Sequence, residues 1–368
     1  MNKDSKIYLA GHRGLVGSAI KKNLEAKGYA NIIVRTHNEL DLTNQNDVSN
    51  FFEKEKPEYV LLAAAKVGGI VANNTYRGEF IYENLMIQNN VIHQSYLNKV
   101  KKLLFLGSTC IYPKNCQQPM KEECLLTGEL EYTNEPYAIA KIAGIKMCES
   151  YNIQYGTNFI AVQPTNLYGP NDNFDLEKSH VLPALIRKIH LGKSLESNDW
   201  NSIRKDLNKL PIEGVNGNGS ESEILKILSK YGVKSSSSDE SIRTAERGVA
   251  IEIWGSGKPM REFLWTEDMA DACVHLMENV DFNQIDKPKT RNTHINIGTG
   301  KEVSIKQLAE TIKDTIGYQG ELYFNTKKPD GTMRKLTDSS KLESLGWKYR
   351  VDLEEGIHRM YKCYLNSI

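Results

Sequence analysis

The chain has 368 residues, 40% of them hydrophobic, and 47 Lys and Arg against 46 Asp and Glu give a formal net charge of +1. This length allows one large or two ordinary domains, and the charge balance excludes a whole-chain attraction to nucleic acid or membrane. No apolar stretch is long enough to span a bilayer, and the N-terminal residues lack the apolar segment of a signal peptide. The six cysteines form no CxxC pair and no zinc-like cluster, so we expect reduced thiols, no metal and a cytoplasmic location.

Short apolar runs alternate with helical patterns along the first half of the chain. The predicted strands are Ile7 to Ala10, Ile32 to Thr36, Tyr59 to Ala63, Leu103 to Ser108 and Phe159 to Pro164, and the clearest helices are Gly17 to Lys27 and Asn84 to Leu97. This alternation indicates an α/β fold with a Rossmann-like, doubly wound parallel sheet. Such sheets bind ligands beyond the carboxyl ends of their strands.

A glycine-rich turn, Gly11-His12-Arg13-Gly14-Leu15-Val16-Gly17, follows the first strand and opens the first helix. Its glycines permit a tight turn and a close approach of the backbone to a pyrophosphate, which then faces the helix N-terminus. We therefore assign this turn to a dinucleotide. The expected contacts are Gly11, Arg13, Gly14, Leu15, Val16 and Gly17.

The end of the second strand distinguishes between the two nicotinamide dinucleotides. An NAD site usually has an acid about twenty residues further on, where this chain has Arg35-Thr36-His37-Asn38. Arg35 and Arg13 suit a 2′-phosphate, so we predict NADP(H); the alternative is that Arg35 is an ordinary surface arginine. Asp41 fits either an adenine contact or a turn residue.

Tyr137 and Lys141 are four residues apart in a helical stretch, which places both side chains on one face. Because a nearby ammonium favours phenolate, we expect a lowered tyrosine pKa and a general acid or base at a carbonyl or alcohol oxygen. Ser108 follows a buried strand and can hydrogen-bond the same oxygen. Together with the glycine turn, this set predicts a carbonyl-reduction site in which Lys141 also holds the nicotinamide ribose.

Cys110 and His180 raise the question of a second reaction. Either residue alone is compatible with a structural role, Cys110 as a small buried hydrophobe and His180 as the residue before a helix. A ketone, however, acidifies the neighbouring C–H bonds, and exchanging those protons needs a base and an acid on opposite faces of the sugar. A thiolate and an imidazole can do this near neutral pH, so the pair predicts epimerisation as well as reduction.

The composition changes after about residue 169, where we place a domain boundary. Residues 1–169 are predicted to form the NADP-binding domain, with a returning segment near 249–275, and residues 170–368 a substrate-binding domain. An insertion at about 195–247, rich in Gly, Asn and Ser, interrupts the second domain. Within it, Glu221 to Tyr231 has the pattern of an amphipathic helix, and strand-like residues resume at Ala250.

Nine sequence blocks, spread over nearly the whole chain outside the insertion, carry a resemblance to a known family. They are Ala10 to Gly14, Ala63 to Tyr76, Leu106 to Lys114, Thr133 to Gly144, Pro164 to Pro170, His180 to Leu185, Trp254 to Phe263, Ile297 to Gly300 and Lys328 to Lys335. Through them the chain resembles GDP-L-fucose synthases, the GDP-4-keto-6-deoxymannose 3,5-epimerase-4-reductases of the extended short-chain dehydrogenase/reductase class. The resemblance implies NADP(H), a GDP-4-keto-6-deoxy sugar and a homodimer assembled through the helices that flank the Tyr137–Lys141 element.

Carried over by position, the resemblance implies a role for each matching residue. The reductase triad would be Ser108, Tyr137 and Lys141, with Cys110 as the epimerisation base and His180 as the acid. The residues that hold the GDP-sugar would be Lys188, Trp254, Arg261 and Asp330. The residues on the nicotinamide side would be Leu106, Pro164, Thr165, Asn166, Leu167 and His180.

This chain departs from the family at three points. His37 stands where an arginine commonly lies beside the 2′-phosphate. Lys188 also replaces an arginine and keeps the charge, but it loses the bidentate geometry. The insertion adds roughly fifty residues between Lys188 and Trp254, far more than an ordinary loop, and is compatible with a surface excursion or with a role at the site.

Three functions are therefore compatible with the sequence. The first is NADPH-dependent 3,5-epimerisation and 4-reduction of a GDP-4-keto-6-deoxy sugar. The second is C4 reduction, with or without epimerisation, of a GDP-4-keto-6-deoxy-heptose in capsular polysaccharide biosynthesis. The third is a non-catalytic NADP-binding scaffold, against which the intact Ser108, Tyr137 and Lys141 argue.

Overall fold

The computed structural model describes residues 1–235, 248–285 and 291–368, so the end of the predicted insertion, residues 236–247, lies outside the described part of the chain. The chain divides into two compact units. The first contains Met1–Leu167, Glu262–Lys301 and Lys335–Val351, and the second contains Tyr168–Arg261, Glu302–Arg334 and Asp352–Ile368.

These units differ from the predicted domains in which segments of the chain belong to each. The first unit's opening segment ends at Leu167 rather than at residue 169, and the returning segments are Glu262–Lys301 and Lys335–Val351 rather than one near 249–275. Strand pairing explains the difference. Ile295–Ile297 pairs in parallel with Phe159–Pro164 of the first unit, whereas Val249–Trp254 pairs with strands of the second.

Strands and helices alternate along most of the described chain. The strands are β1 (Ile7–Ala10), β2 (Ile32–Ile33), β3 (Tyr59–Leu62), β4 (Lys102–Leu106), β5 (Phe159–Pro164), β6 (Asn166–Tyr168), β7 (Val233–Ser235), β8 (Val249–Trp254), β9 (Met260–Arg261), β10 (Phe263–Trp265), β11 (Ile295–Ile297), β12 (Val303–Ser304), β13 (Glu321–Asn325) and β14 (Arg334–Lys335). The α-helices are α1 (Leu15–Ala26), α2 (Gln45–Glu55), α3 (Ile70–Thr75), α4 (Arg77–Leu97), α5 (Glu135–Tyr155), α6 (Val181–Glu196), α7 (Trp200–Lys209), α8 (Glu221–Lys230), α9 (Thr266–Asn279), α10 (Phe282–Ile285), α11 (Ile305–Ile316), α12 (Ser340–Ser344) and α13 (Leu353–Ser367). Short 3-10 helices cover Thr109–Ile111, Glu122–Cys124 and Tyr132–Asn134.

The first unit is built on a six-stranded parallel sheet with the strand order β11-β5-β4-β3-β1-β2. Its strands are buried because successive side chains enter two different apolar layers. Ile7 and Leu9 pack in the layer that contains α1 and α9, whereas Tyr8 and Ala10 pack in the layer that contains α2, α4 and α5. The predicted Rossmann-like, doubly wound α/β fold is confirmed.

Apart from β3, which stops at Leu62 rather than Ala63, two strands of this sheet end earlier than predicted. β2 stops at Ile33 rather than Thr36, because the chain turns and the Thr36 carbonyl accepts the N–H groups of Glu39 and Leu40. β4 stops at Leu106 rather than Ser108. Both ends lie on the edge of the sheet where parallel α/β folds place their ligands.

The second unit has a smaller sheet at its centre, in which β8 pairs in parallel with β13 and antiparallel with β7. Helix α6 packs on one face of this sheet. A Cβ added to Gly192 of α6 would lie 2.7 Å from Ile251 Cδ1, so the glycine allows the close packing. Helix α11 packs against α6 and α13.

The described part of the insertion is folded into this unit. The predicted amphipathic helix is confirmed as α8, which begins with a capping box formed by Ser220 and Glu223. Strand β7, which was not predicted, adds the insertion to the edge of the sheet at β8.

A buried ion pair joins α7 of the insertion to α6. Arg187 Nη2 lies 2.8 Å from Asp206 Oδ1, and both side chains are almost fully buried. Tyr364 of α13 donates its hydroxyl to Asp206 Oδ2 at 2.7 Å. A tolerated surface excursion does not require a buried charge network. Charges inside a protein are costly unless they are paired, and here the pairing ties the insertion to α6 and α13.

The described ranges also bear on metals and membranes. Within them, no helix combines the length and apolar character needed to cross a bilayer. In the same ranges, no three His, Cys, Asp or Glu side chains converge in a way that could hold a metal ion. All six cysteines are free.

Candidate active site

The glycine-rich turn has a backbone shape that larger residues do not permit. Gly11 has φ of +86°, and a Cβ there would lie 2.6 Å from Ala64 N. A Cβ on Gly17 would lie 2.1 Å from the Gly11 carbonyl oxygen, so α1 packs directly on the turn. Gly14 is the N-cap residue of α1, and because it has no side chain it forms no capping hydrogen bond with the first N–H groups of the helix. The first N–H groups of α1 are thus available to an anion, and the turn fits a pyrophosphate.

The nitrogen groups expected beside a 2′-phosphate have different surroundings. Arg35 Nη2 lies 2.8 Å from Glu55 Oε1, and its guanidinium carbon lies 5.6 Å from the centre of the Phe51 ring. Arg13 and His37 are exposed. Arg35 is therefore held by a carboxylate of its own unit, whereas Arg13 and His37 keep their nitrogen atoms accessible.

Three other residues assigned to the cofactor lie in the same unit. Leu15 and Val16 are half-buried in the first turn of α1. Asp41 Oδ1 accepts hydrogen bonds from the backbone N–H and the hydroxyl of Thr43, at 2.9 and 2.8 Å. Asp41 therefore acts as a turn residue, one of the two roles that the sequence allowed.

Gln163 fixes the segment that carries Ser108. Its Oε1 atom accepts the Ser108 N–H at 2.6 Å, and a Cβ on Gly107 would lie 2.1 Å from the same oxygen. The glycine therefore lets the end of β4 approach a buried carboxamide. Ser108 Oγ accepts the N–H of Cys110 at 3.4 Å and begins the following 3-10 helix.

Helix α5 brings Tyr137 and Lys141 to the same strand end. Lys141 is 3% exposed, and its Nζ donates to the Leu106 carbonyl oxygen at 2.7 Å. This Nζ lies 5.7 Å from the centre of the Tyr137 ring and 4.8 Å from that of Phe105. The edge of β4 therefore carries a hydroxyl, a thiol, a phenol and an ammonium within one unit.

Burial dominates the electrostatics of Tyr137. Desolvation raises the pKa of Tyr137 well above its ordinary value, and the nearby Cys110 adds to the rise. The expected lowering of this pKa is therefore wrong. The ammonium that was to cause it is itself desolvated, which lowers the pKa of Lys141 to about 8. The resting tyrosine is a phenol, the form that donates a proton.

Cys110 also holds its proton in the resting structure. Burial raises the pKa of the Cys110 thiol, and the hydrogen bond to Ser108 and the charges of Lys335 and Lys141 oppose that rise only in part. A thiolate near neutral pH, as predicted from the sequence, is therefore not the resting state. The thiolate fraction instead grows as the pH rises through the alkaline range.

His180 belongs to the second unit, where it precedes the first turn of α6. Its side chain is accessible, although the surrounding protein desolvates the ring enough to lower its pKa. The resting imidazole is therefore neutral at neutral pH. A thiol and a neutral imidazole are the reverse of the protonation states expected for a base at Cys110 and an acid at His180.

The residues assigned to the GDP-sugar also lie in the second unit. Trp254 ends β8 with 62% of its surface exposed, and Lys328 Nζ lies 5.0 Å from its ring centre. Asp330 accepts the backbone N–H and hydroxyl of Ser256 at 2.8 and 2.7 Å. Arg261 donates to two neighbouring carbonyl oxygens at 2.6 and 2.7 Å.

Lys188 lies on α6, and burial lowers its pKa to about 8 while the charge of Glu252 opposes the change.

The turn assigned to the nicotinamide side follows β5. Its residues are Pro164, Thr165, Asn166 and Leu167. Thr165 N–H donates to the Ile297 carbonyl oxygen at 3.0 Å, and Asn166 Nδ2 donates to the Glu262 carbonyl oxygen at 2.8 Å. The turn is therefore anchored to the segment that returns to the first unit.

A family model described as "NAD dependent epimerase/dehydratase family" matches residues 7–205 and 225–298. The chain belongs to this family. The match is interrupted inside the insertion. A relative named putative GDP-L-fucose synthase 2, from Arabidopsis thaliana, is 49% identical over 368 residues, covering 100% of this chain and 94% of the relative.

Two solved structures of other proteins from Campylobacter jejuni are similar over the full chain. One is a GDP-6-OMe-4-keto-L-xylo-heptose reductase, which is 48% identical with a TM-score of 0.89. The match covers 100% of this chain and 99% of the reductase. The other is a GDP-mannoheptose C4 reductase with NADP bound, which is 47% identical with a TM-score of 0.87, and 99% of each chain is covered.

In this member of the epimerase/dehydratase family, sequence reasoning missed two residues that position the site. Gln163, which holds the Ser108 N–H, is fully buried. Glu262 is fully buried and accepts the N–H groups of Thr299 and Gly300 at 2.6 and 2.7 Å. A polar residue inside an apolar strand, as at Gln163, was a usable signal. The return of Glu262 to the first unit was not visible in the sequence.

Proposed function

We propose that this protein uses NADPH to epimerise C3 and C5, and to reduce C4, of a GDP-4-keto-6-deoxy sugar. The observation that carries the proposal is the arrangement at the end of β4, where a phenol, a buried ammonium, a hydroxyl and a buried thiol lie in the same parallel sheet unit as a dinucleotide turn. A non-catalytic NADP-binding scaffold requires none of these four groups.

The first unit fits NADP(H). The glycine turn and the N-terminus of α1 suit the pyrophosphate, and Arg13, Arg35 and His37 supply nitrogen donors for the 2′-phosphate. When bound, the nicotinamide supplies the hydride equivalent that C4 receives. Lys141 retains two N–H donors beyond its bond to Leu106 and is placed to hold the nicotinamide ribose.

Tyr137 supplies the proton in the reduction. Because burial keeps its phenol protonated, Tyr137 is ready to donate to the C4 oxygen as negative charge develops there. The Lys141 ammonium lies beside the phenolate that results and stabilises its charge. The Ser108 hydroxyl donates a hydrogen bond to the same substrate oxygen.

Cys110 and His180 carry the proposed proton exchanges at C3 and C5. The C4 ketone stabilises the enolate left when a neighbouring C–H proton is removed, and return of a proton to the opposite face inverts that carbon. Since the resting thiol holds a proton and the resting imidazole does not, Cys110 must lose one proton and His180 must gain one before the assigned roles are filled.

Deuterium incorporation tests the epimerase half. In deuterated water, the wild type should place deuterium at C3 and C5, and Cys110→Ser should slow that exchange by about 100-fold, the scale of one general base. The matched control is Cys148→Ser, another buried thiol with a raised pKa in the same unit. Wild-type product with deuterium at neither carbon rules out epimerisation.

Charge and aromatic character support a GDP moiety in the second unit. Lys188 and Arg261 are cations for a diphosphate, Trp254 offers an aromatic face, and Asp330 is an acceptor nearby. The expected assembly is a homodimer through α4 and α5, where Tyr96 and Tyr155 stack with centroids 4.3 Å apart beside the exposed Ile153. The six free cysteines support a cytoplasmic location.

A second candidate differs in the sugar. The two Campylobacter jejuni proteins are named as heptose reductases. Each matches this chain over almost the full length of both, with TM-scores of 0.89 and 0.87. This similarity favours a GDP-heptose, the class that includes a GDP-4-keto-6-deoxy-heptose, with C4 reduction as the reaction common to both candidates.

Substrate-dependent NADPH consumption decides between these candidates. The purified enzyme is given NADPH and either the hexose or the heptose GDP-4-ketose, and kcat/KM is compared from the loss of NADPH absorbance. The better substrate identifies the sugar. No consumption with either compound refutes both proposals.

A further inference from the structure

One face of the second unit's sheet carries a cluster of polar side chains. In the β-ladders, Lys234 lies opposite Ala250, Tyr323 opposite Glu252, and Asn325 opposite Trp254. Residues that face each other across a ladder, and residues two apart along a strand, project on the same side. Lys234, Glu252, Asn325 and Trp254 therefore share one face, and Lys234 comes from the insertion.

Glu252 is fully engaged within this cluster. Its Oε2 atom lies 2.9 Å from Lys234 Nζ, and its Oε1 atom accepts Asn325 Nδ2 at 2.9 Å. The two charged side chains are only 16% and 11% exposed. Although burial alone would raise the pKa of Glu252, the Asn325 hydrogen bond and the Lys234 ion pair lower it, so the carboxylate is charged.

The Lys188 ammonium, which comes from α6, lies beside Gly232, whose carbonyl oxygen accepts the Glu252 N–H at 2.7 Å. A Cβ on Gly232 would lie 3.1 Å from Glu252 Cβ and 3.4 Å from Lys188 Nζ, so the ammonium lies next to the position where a larger side chain would begin. Gly232 has φ of +86°, a conformation that favours glycine. Among the described residues, no ion pair joins Lys188 to a carboxylate, although the charge of Glu252 is close enough to act on the pKa of Lys188 in the raising direction.

Two lysines therefore compete for one carboxylate. If Lys234 were absent, the buried charge of Glu252 would be left without its ion-pair partner, and Lys188 is the neighbouring cation able to replace it. When an ammonium is paired with a carboxylate, the negative charge of the carboxylate offsets much of the attraction between the ammonium and a phosphate group. The insertion thus affects Lys188 without itself having to contact the ligand.

We infer that Lys234 of the insertion is a positioning residue, which neutralises Glu252 and leaves the Lys188 ammonium to a phosphate group of the nucleotide sugar. This inference rests on the proposed function. It gives the insertion a defined part in GDP recognition, which neither a surface excursion nor a change of sugar pocket would require.

The test compares GDP binding by calorimetry and steady-state kinetics for Lys234→Met, Lys234→Arg, Glu252→Gln and the double variant K234M/E252Q. Lys234→Met should weaken GDP binding and raise KM by about tenfold, the scale of a charge-assisted hydrogen bond, with kcat little changed. Lys234→Arg should restore affinity, since it keeps the charge. The double variant should also restore affinity, because no carboxylate remains to capture Lys188.

The outcomes separate this inference from the function on which it rests. Wild-type protein that does not bind GDP refutes the proposed function, and the inference with it. GDP binding by Lys234→Met within twofold of wild type overturns the inference alone. Failure of the double variant to recover, with melting temperatures unchanged, shows a structural role for the ion pair and also overturns it. Glu252→Gln alone is the single-variant control for the double variant. If Lys234→Met does not fold, Lys234→Gln takes its place with the same expected loss of GDP affinity, and an affinity within twofold of wild type overturns the inference.

Discussion

The end of β4 and the polar face of β8 control the charge of their side chains by opposite means. At β4, Tyr137 is half-buried while Lys141 and Cys110 are buried, and desolvation shifts each pKa toward the neutral form. At β8, Glu252 is also buried, but Lys234 and Asn325 keep it charged. A site that moves protons benefits from groups poised in their neutral forms, whereas a carboxylate that stays charged near Lys188 favours the ammonium form of that lysine.

The largest effect is expected at the proton donor. Tyr137→Phe removes the only hydroxyl of the phenol while keeping the ring, so NADPH consumption should fall by about 100- to 10,000-fold, the range for loss of a general acid. NADPH binding should be retained. The measurement is single-turnover NADPH oxidation with a saturating GDP-4-ketose.

Tyr82→Phe is the matched control, because Tyr82 is 62% exposed on α4 of the same unit. It should retain wild-type turnover. Equal activity of Tyr137→Phe and wild type would contradict a role for the buried phenol and would remove the distinction drawn between the two regions.

The next effect concerns the buried Arg187–Asp206 ion pair, which joins α7 of the insertion to α6. Asp206→Asn leaves the Arg187 guanidinium buried without its counter-charge, so the free energy of unfolding should fall by about 3 kcal/mol. Chemical denaturation monitored by circular dichroism measures the change.

Glu213→Gln provides the comparison within the same insertion. Glu213 pairs with Lys230 at the surface, and exposed ion pairs contribute little, so the denaturation midpoint should stay near that of wild type. Equal midpoints for Asp206→Asn and wild type would show that the insertion is not fixed by the buried pair.

The smallest effect is a pH dependence of the phosphate-binding region. Burial lowers the pKa of Lys188 to about 8, so its ammonium is lost as the pH rises through that value and GDP binding should weaken. About one pH unit above the pKa, roughly one lysine in ten remains charged, and affinity should be several-fold lower than at neutral pH.

Lys188→Arg sharpens this prediction, since a guanidinium keeps its charge throughout the range and restores the forked geometry suited to a phosphate. Its GDP affinity, measured by calorimetry without NADPH, should be nearly constant with pH. A parallel decline in the variant would assign the pH dependence to another group.

The sequence predicted the sheet, the glycine turn and the Tyr137–Lys141 element well, because these depend on local pattern. It did not predict the sign of the tyrosine pKa shift, since the desolvation of Tyr137 and the nearness of Cys110 arise only in the folded chain. It also missed the pairing of β7 with β8. A strand of three residues after a helix leaves almost no periodic signal, and Lys234 acquires its partner only through the fold.

The return of Ile295–Ile297 to the first sheet has a consequence for how the molecule is made. A ribosome that has translated the first 167 residues has synthesised five of the six strands, and the sheet edge at β5 stays uncovered until most of the second unit has followed. The second unit in turn receives helix α13 only after every segment of the first unit has been synthesised. Neither half can mature before the other has emerged, so we expect nascent chains to depend on chaperones that shield an open edge strand.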